Sequence, residues 1–167
     1  MPLGRPDGKL GAHTCGFVSC IAMTFAIKIP FVELLGFSLD VFDGGESQIS
    51  YEAKPEHLNT FHVTHGGAVM TLLDVSMATA ARSAQKDMGV VTIEMKTSFM
   101  RPCRGKLVSK GHLMHRTQSL AFTEATVYDS EGLACAHATG TFKYVKRGDR
   151  NAPANPDGSP NDIVSTD

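Results

Sequence analysis

The chain has 167 residues, of which 42% are hydrophobic and 20% charged, and its formal net charge is −1. That length suffices for the core of one domain, and a sequence pI of about 6.6 leaves no electrostatic case for nucleic acid or an anionic membrane as partner. Cys15, Cys20, Cys103 and Cys135 form neither CxxC pairs nor a dense framework and read as reduced thiols of a cytoplasmic protein.

Residues 1–29 read as an N-terminal extension, partly disordered. Within it, Cys15 to Ile27 is a moderately apolar run behind Arg5, Lys9 and His13. No small-residue cleavage site follows and Lys28 and Pro30 close the run, which argues against a signal peptide. It is also too short and too polar to span a bilayer. Met23 offers an alternative start.

A domain is expected over residues 30–146. Pro30 to Gly36 predicts a short helix, with proline at its start and glycine at its end. Phe37 to Phe42 predicts a strand with Phe37, Leu39 and Val41 inward. Asp43-Gly44-Gly45 is a hairpin turn, and Ser47 to Ala53 the returning strand. Residues 54–65 form a polar loop, and a long helix runs from about Gly66 to Gln85. Met88-Gly89 breaks that pattern. Four strands follow: Val90 to Met100, with Val91, Ile93 and Met95 alternating against Thr92, Glu94 and Lys96; Leu107 to His115; Leu120 to Tyr128; and Leu133 to Val145. Residues 147–167 read as a disordered tail.

The long helix is the informative element. Val69, Leu72, Leu73, Met77 and Ala80 fall at core-facing spacing. The other faces carry Met70, Val75, Ala78 and Ala81, so the helix is expected to be buried nearly all round. The tally is α+β: an antiparallel sheet of about six strands curled around one central helix. Midway along that helix stands Asp74, with Met70, Thr71, Met77 and Ala78 as its helical neighbours and no basic partner among them. A desolvated carboxylate of this kind needs a hydrogen-bonding site or a function.

The helix starts at Gly66-Gly67, behind His65. Its first N–H groups lack intrahelical acceptors and carry the positive end of the dipole. Glycine lets a carbonyl approach, so this is a natural oxyanion hole for acyl transfer, or else a tight loop-to-helix turn. Asp74 stands eight residues on, about 12 Å along the axis, whereas a base acts within about 3 Å of its target. If both serve one carbonyl, the site must combine two subunits, as a C2 dimer with two shared sites.

The run Asn59-x5-His65-Gly66-Gly67-x6-Asp74, followed by Thr92, resembles the hotdog-fold acyl-CoA thioesterases, nearest the branch of the phenylacetyl-CoA thioesterases and human thioesterase superfamily member 2. The resemblance spans roughly Pro30 to Lys146, including Thr97 to Pro102 and Ser119 to Phe122. It implies a hotdog fold and hydrolysis of acyl-CoA to free acid and coenzyme A, without metal or other cofactor. Asp74 would be nucleophile or general base, and the Gly66 N–H would bind the oxyanion. Asn59 would position the thioester, His65 would support that end of the site, and Thr92 would hold the hydrolytic water. Gly67, Arg101, Arg116 and Ser119 would contact substrate, with Arg104 and Lys106 near the coenzyme A phosphates; the arginines and lysine also read simply as a solvated basic rim. The assembly implied is a homodimer with shared sites, and from it a homotetramer.

One residue departs from that pattern. Members of the branch often carry glycine three positions after the asparagine, where this chain has His62. His57, His62 and His65 lack the cysteine or acid that would complete a metal-ligand set. The rival readings are a hotdog acyl dehydratase or hydratase, whose His-Phe-Pro-Gly and Asn-Pro-x-His runs do not occur here, and a non-catalytic acyl-CoA-binding module.

Overall fold

The computed structural model describes residues 29–146, and the N-terminal extension and C-terminal tail expected above lie outside them but for Ile29. In chain order the elements are α1 (Pro30–Leu35), β1 (Ser38–Asp43), β2 (Glu46–Glu52), a 3-10 turn (Pro55–His57), α2 (Gly66–Ser83), β3 (Met88–Phe99), β4 (Lys106–Arg116), β5 (Leu120–Tyr128) and β6 (Ala134–Lys146). The six strands form one antiparallel sheet in the order β1-β2-β4-β5-β6-β3. Both α1 boundaries agree with the sequence: Pro30 opens the helix and Gly36 closes it. Gly44 and Gly45 take φ of 54° and 96°, the left-handed pair that a two-residue hairpin turn demands.

α2 lies across the sheet. Val69, Leu72, Leu73, Met77 and Ala80 are buried against it, with Ile49, Leu107, Val127 and Phe142 as sheet-side partners in the core. Polar bonds fix its position. Ser47 Oγ donates to the Ser76 carbonyl (2.7 Å), Tyr144 Oη to the Ala81 carbonyl (3.0 Å), and the Gly45 N–H to Ser83 Oγ (2.8 Å). On β4, Gly111 faces the helix backbone so closely that a Cβ there would lie 2.6 Å from the Ser76 carbonyl oxygen.

Three local expectations need correction. The helix is not buried all round: Gly67 and Met70 are exposed, and Thr71, Asp74, Val75 and Ala78 are half-buried, because one sheet covers only one side of a cylinder. Val41 does not point inward, since a bulge at Asp40 shifts the β1–β2 register and re-aims the side chains after it. A second bulge, at Ile93, interrupts the alternation of β3, which Met88 and Gly89 open rather than break. β3 is also an edge strand, which explains why its apolar residues are poorly covered.

Candidate active site

The loop before α2 is heavily braced. The His57 N–H donates to the Lys54 carbonyl, the His65 N–H to the His57 carbonyl (2.9 Å) and the Thr64 N–H to the Cys103 carbonyl (3.0 Å), while Leu58 and Thr64 form an isolated bridge. Tyr51 Oη holds His57 Nδ1 at 3.0 Å. Asn59 organises the tip: its Oδ1 accepts from the N–H groups of Phe61 (2.9 Å) and Val63 (3.3 Å). Among the described residues its Nδ2 has no partner, so a donor remains for a ligand. His62 adopts φ 55°, a region disfavoured for any residue with a Cβ.

His65 is the N-cap of α2, and its Nδ1 accepts from the Gly67 N–H at 2.9 Å. An accepting Nδ1 places the ring proton on Nε2. The cap consumes the Gly67 N–H and leaves the Gly66 N–H without an acceptor among the described residues. Gly66 lines a cleft of about 390 Å³ together with Asn59, Thr64, Val69, Phe99 and Arg101. One Arg101 nitrogen donates to the Ala134 carbonyl (2.8 Å), and Arg104 reaches the His62 carbonyl (3.5 Å). Cys103 also lines the cleft. Burial, the neighbouring Cys135 thiol and the Asp129 carboxylate push its pKa up to about 12, which makes it an inert thiol rather than a nucleophile.

Asp74 is not in this cleft. It stands on the uncovered side of α2, where Thr92 Oγ1 on β3 donates to its Oδ1 at 2.7 Å. Burial raises its pKa above the ordinary 3.8, with the Thr92 hydrogen bond pulling the other way. Such a carboxyl is more basic than a solvated one and keeps the hydroxyl partner that orients it. Arg116 and Ser119 lie elsewhere again. Arg116 donates to Gln85 Oε1 (3.0 Å) just beyond the C-terminal end of α2, and the Ser119 carbonyl accepts from the Tyr144 N–H (2.8 Å). One chain therefore brings Asn59, His65, Gly66 and Arg101 to one end of the helix, joins Asp74 to Thr92 at its middle, and sets Arg116 and Ser119 at the other end. Thr64 escaped the sequence reading; the one available signal was a hydroxyl residue directly before the helix cap. Among the described residues no three His, Cys, Asp or Glu side chains converge as a metal site.

Residues 61–136, which contain the helix start, Asp74 and Thr92, match the Thioesterase superfamily. The chain carries a thioesterase-superfamily domain. The match supports thioester hydrolysis, and so does a Thermoplasma volcanium relative named as an inferred esterase, 27% identical over 67% of this chain and 85% of that one. Among solved structures, a conserved protein of Pseudomonas aeruginosa superposes with a TM-score of 0.68 at 26% identity, covering 71% of this chain and 95% of its own. The PaaI protein from the phenylacetic acid degradation operon of Escherichia coli superposes at 0.65 over 71% and 84%, at 19% identity. That second likeness is one of fold, and it is the hotdog fold. No described helix is long and apolar enough to cross a membrane.

Proposed function

We propose that the protein is an acyl-CoA thioesterase, releasing free acid and coenzyme A from sites shared between two subunits. The observation that carries this reading is the division of the site along α2. Among the described residues, the only N–H at the helix start that is both without an acceptor and in the cleft belongs to Gly66, while the basic carboxylate, Asp74, is held by Thr92 outside that cleft, about 12 Å along the axis by helical rise. A second copy supplies the missing half. β3 is an unpaired edge beside Asp74. Its Ile93 and Phe99, the adjoining Met100, and Met70 of α2 are 55%, 53%, 51% and 41% exposed. An apolar edge of this kind invites strand pairing with a second copy.

In the assembled site the thioester carbonyl points at the Gly66 N–H of one subunit and faces Asp74 of the other. Acting as base, Asp74 takes a proton from a water that also hydrogen-bonds to Thr92. The water oxygen adds to the carbonyl carbon, and the displaced electron pair settles on the oxygen held by Gly66. Collapse breaks the C–S bond, and the thiolate leaves with the proton returned from Asp74. Acting as nucleophile, Asp74 instead forms the C–O bond itself as the C–S bond breaks and the thiolate leaves, and water then hydrolyses the resulting anhydride to free acid and regenerated Asp74. Neither route needs a metal, because the thioester carbonyl is already electrophilic and thiolate is a good leaving group. Asn59 Nδ2 and the unengaged Arg101 nitrogens are donors for the thioester and the coenzyme A phosphates. Arg116 and Ser119 reach the same molecule only from another subunit.

A panel of aromatic and straight-chain acyl-CoAs, with thiol release as readout, tests the reading. Turnover of at least one class is expected, with kcat reduced at least about a hundredfold in Asp74→Asn. Acyl-CoA binding without turnover would identify a binding module instead.

A further inference from the structure

We propose that Thr64 is a second hydrogen-bond donor of the cleft, its hydroxyl donating to the carbonyl oxygen of the bound thioester alongside the Gly66 N–H. The inference rests on the reading of this cleft as a thioesterase site. Thr64 lines the cleft yet is only 5% exposed, and its Oγ1 is a buried polar atom with no hydrogen-bond partner among the described residues. Buried hydroxyls are normally paired, so one left unpaired beside a site is a cost that a ligand recovers once the Thr64 side chain turns its hydroxyl to the cleft. Two acceptors of the same loop are committed elsewhere, His65 Nδ1 to the Gly67 N–H and Asn59 Oδ1 to the Phe61 and Val63 N–H groups.

Position makes the hydroxyl useful. Thr64 is two residues before Gly66, so the two Cα atoms are at most about 7 Å apart, close enough for both donors to meet one oxygen. Its main chain cannot drift, because its N–H is bonded to the Cys103 carbonyl and it bridges Leu58. A donor on a main chain held in this way strengthens its bond as negative charge develops on the carbonyl oxygen. The hydroxyl keeps its proton throughout; no bond to Thr64 forms or breaks.

Thr64→Val preserves shape and removes the donor. Against wild type, Thr64→Ser and Asp74→Asn, its kcat for thiol release is expected to fall about tenfold or more, with KM within about threefold. Its Tm should equal or exceed that of wild type, since an unsatisfied buried hydroxyl has been replaced by a methyl. Thr64→Ser should restore kcat to within about threefold of wild type. An unchanged kcat in Thr64→Val overturns the proposal, as does a kcat loss that tracks a lowered Tm or is not rescued by serine. Should the valine variant fail to fold, Thr64→Ala takes its place under the same criteria. Loss of turnover in Asp74→Asn with none in Thr64→Val overturns this inference alone, whereas a wild type without thiol release overturns the reading of the site and this inference with it.

Discussion

Thr92 Oγ1 donates to Asp74 Oδ1 at 2.7 Å, tying the edge strand β3 to the uncovered side of α2. The bond stabilises the charged form of a carboxyl whose pKa burial raises. A base or nucleophile must be deprotonated, so turnover should rise with pH through that raised value. Thr92→Val removes the opposing influence. Its acid limb in a kcat–pH profile should therefore move to higher pH, and its plateau should fall at least about tenfold as water loses an anchor. A limb that stays in place would show that Thr92 does not act on Asp74.

The same shift has a sign in stability. Asp74 binds its proton more tightly folded than unfolded, so it favours the native state fully below about 3.8 and loses that contribution as pH rises through the higher folded value. Asp74→Asn should consequently raise Tm at neutral pH, with the advantage shrinking on acidification. Melting curves from about pH 3 to about pH 8 check this. A variant less stable than wild type at neutral pH would mean that the carboxylate is a structural group.

His62 holds a φ of 55° in the loop that carries Asn59. A left-handed backbone costs an ordinary L-residue about 1–2 kcal/mol, and β-branching adds to it. His62→Gly should match or exceed wild-type stability despite the extra freedom of an unfolded glycine. His62→Val should fall below the glycine variant by about 1–2 kcal/mol in urea unfolding. Equal midpoints for the two variants would place the loop in another conformation.

Gly111 lets β4 and α2 approach. A Cβ there would lie 2.6 Å from both Ser47 Oγ and the Ser76 carbonyl oxygen, and Ser47 itself bonds to that carbonyl. Gly111→Ala should destabilise the protein by about 1–3 kcal/mol through overpacking. Chemical denaturation measures it, and a neutral result would require the helix to sit farther from the sheet.

Much of this arrangement is legible in the sequence, and the exceptions share a physical origin. Pro30, Gly36 and the Gly44-Gly45 pair mark boundaries because their backbone preferences are local. The α2 period names its sheet-facing residues correctly. The bulges at Asp40 and Ile93 are invisible to alternation, because a bulge exists only relative to the partner strand. The edge position of β3, and with it the exposure of Ile93 and of one side of α2, is likewise a property of the whole sheet. Asp74 stands out from its neighbours alone, but its pairing with Thr92 comes from the family resemblance and not from spacing. Thr64 is hidden because an unsatisfied hydroxyl is defined by what does not surround it.

The central claim is that Gly66 of one subunit works with Asp74 of the other. Gly66→Pro deletes the oxyanion N–H at a helix position that tolerates proline, after a His65 whose φ of −59° and ψ of 136° already suit a residue preceding proline. Gly66→Pro and Asp74→Asn should each be nearly inactive alone. Dissociated together at equal amounts and re-formed, half the dimers are mixed and each mixed dimer has one intact site, so thiol release should return to about one quarter of wild type. No recovery, with mixed dimers shown to have formed, would place both groups in one subunit's site and contradict the account.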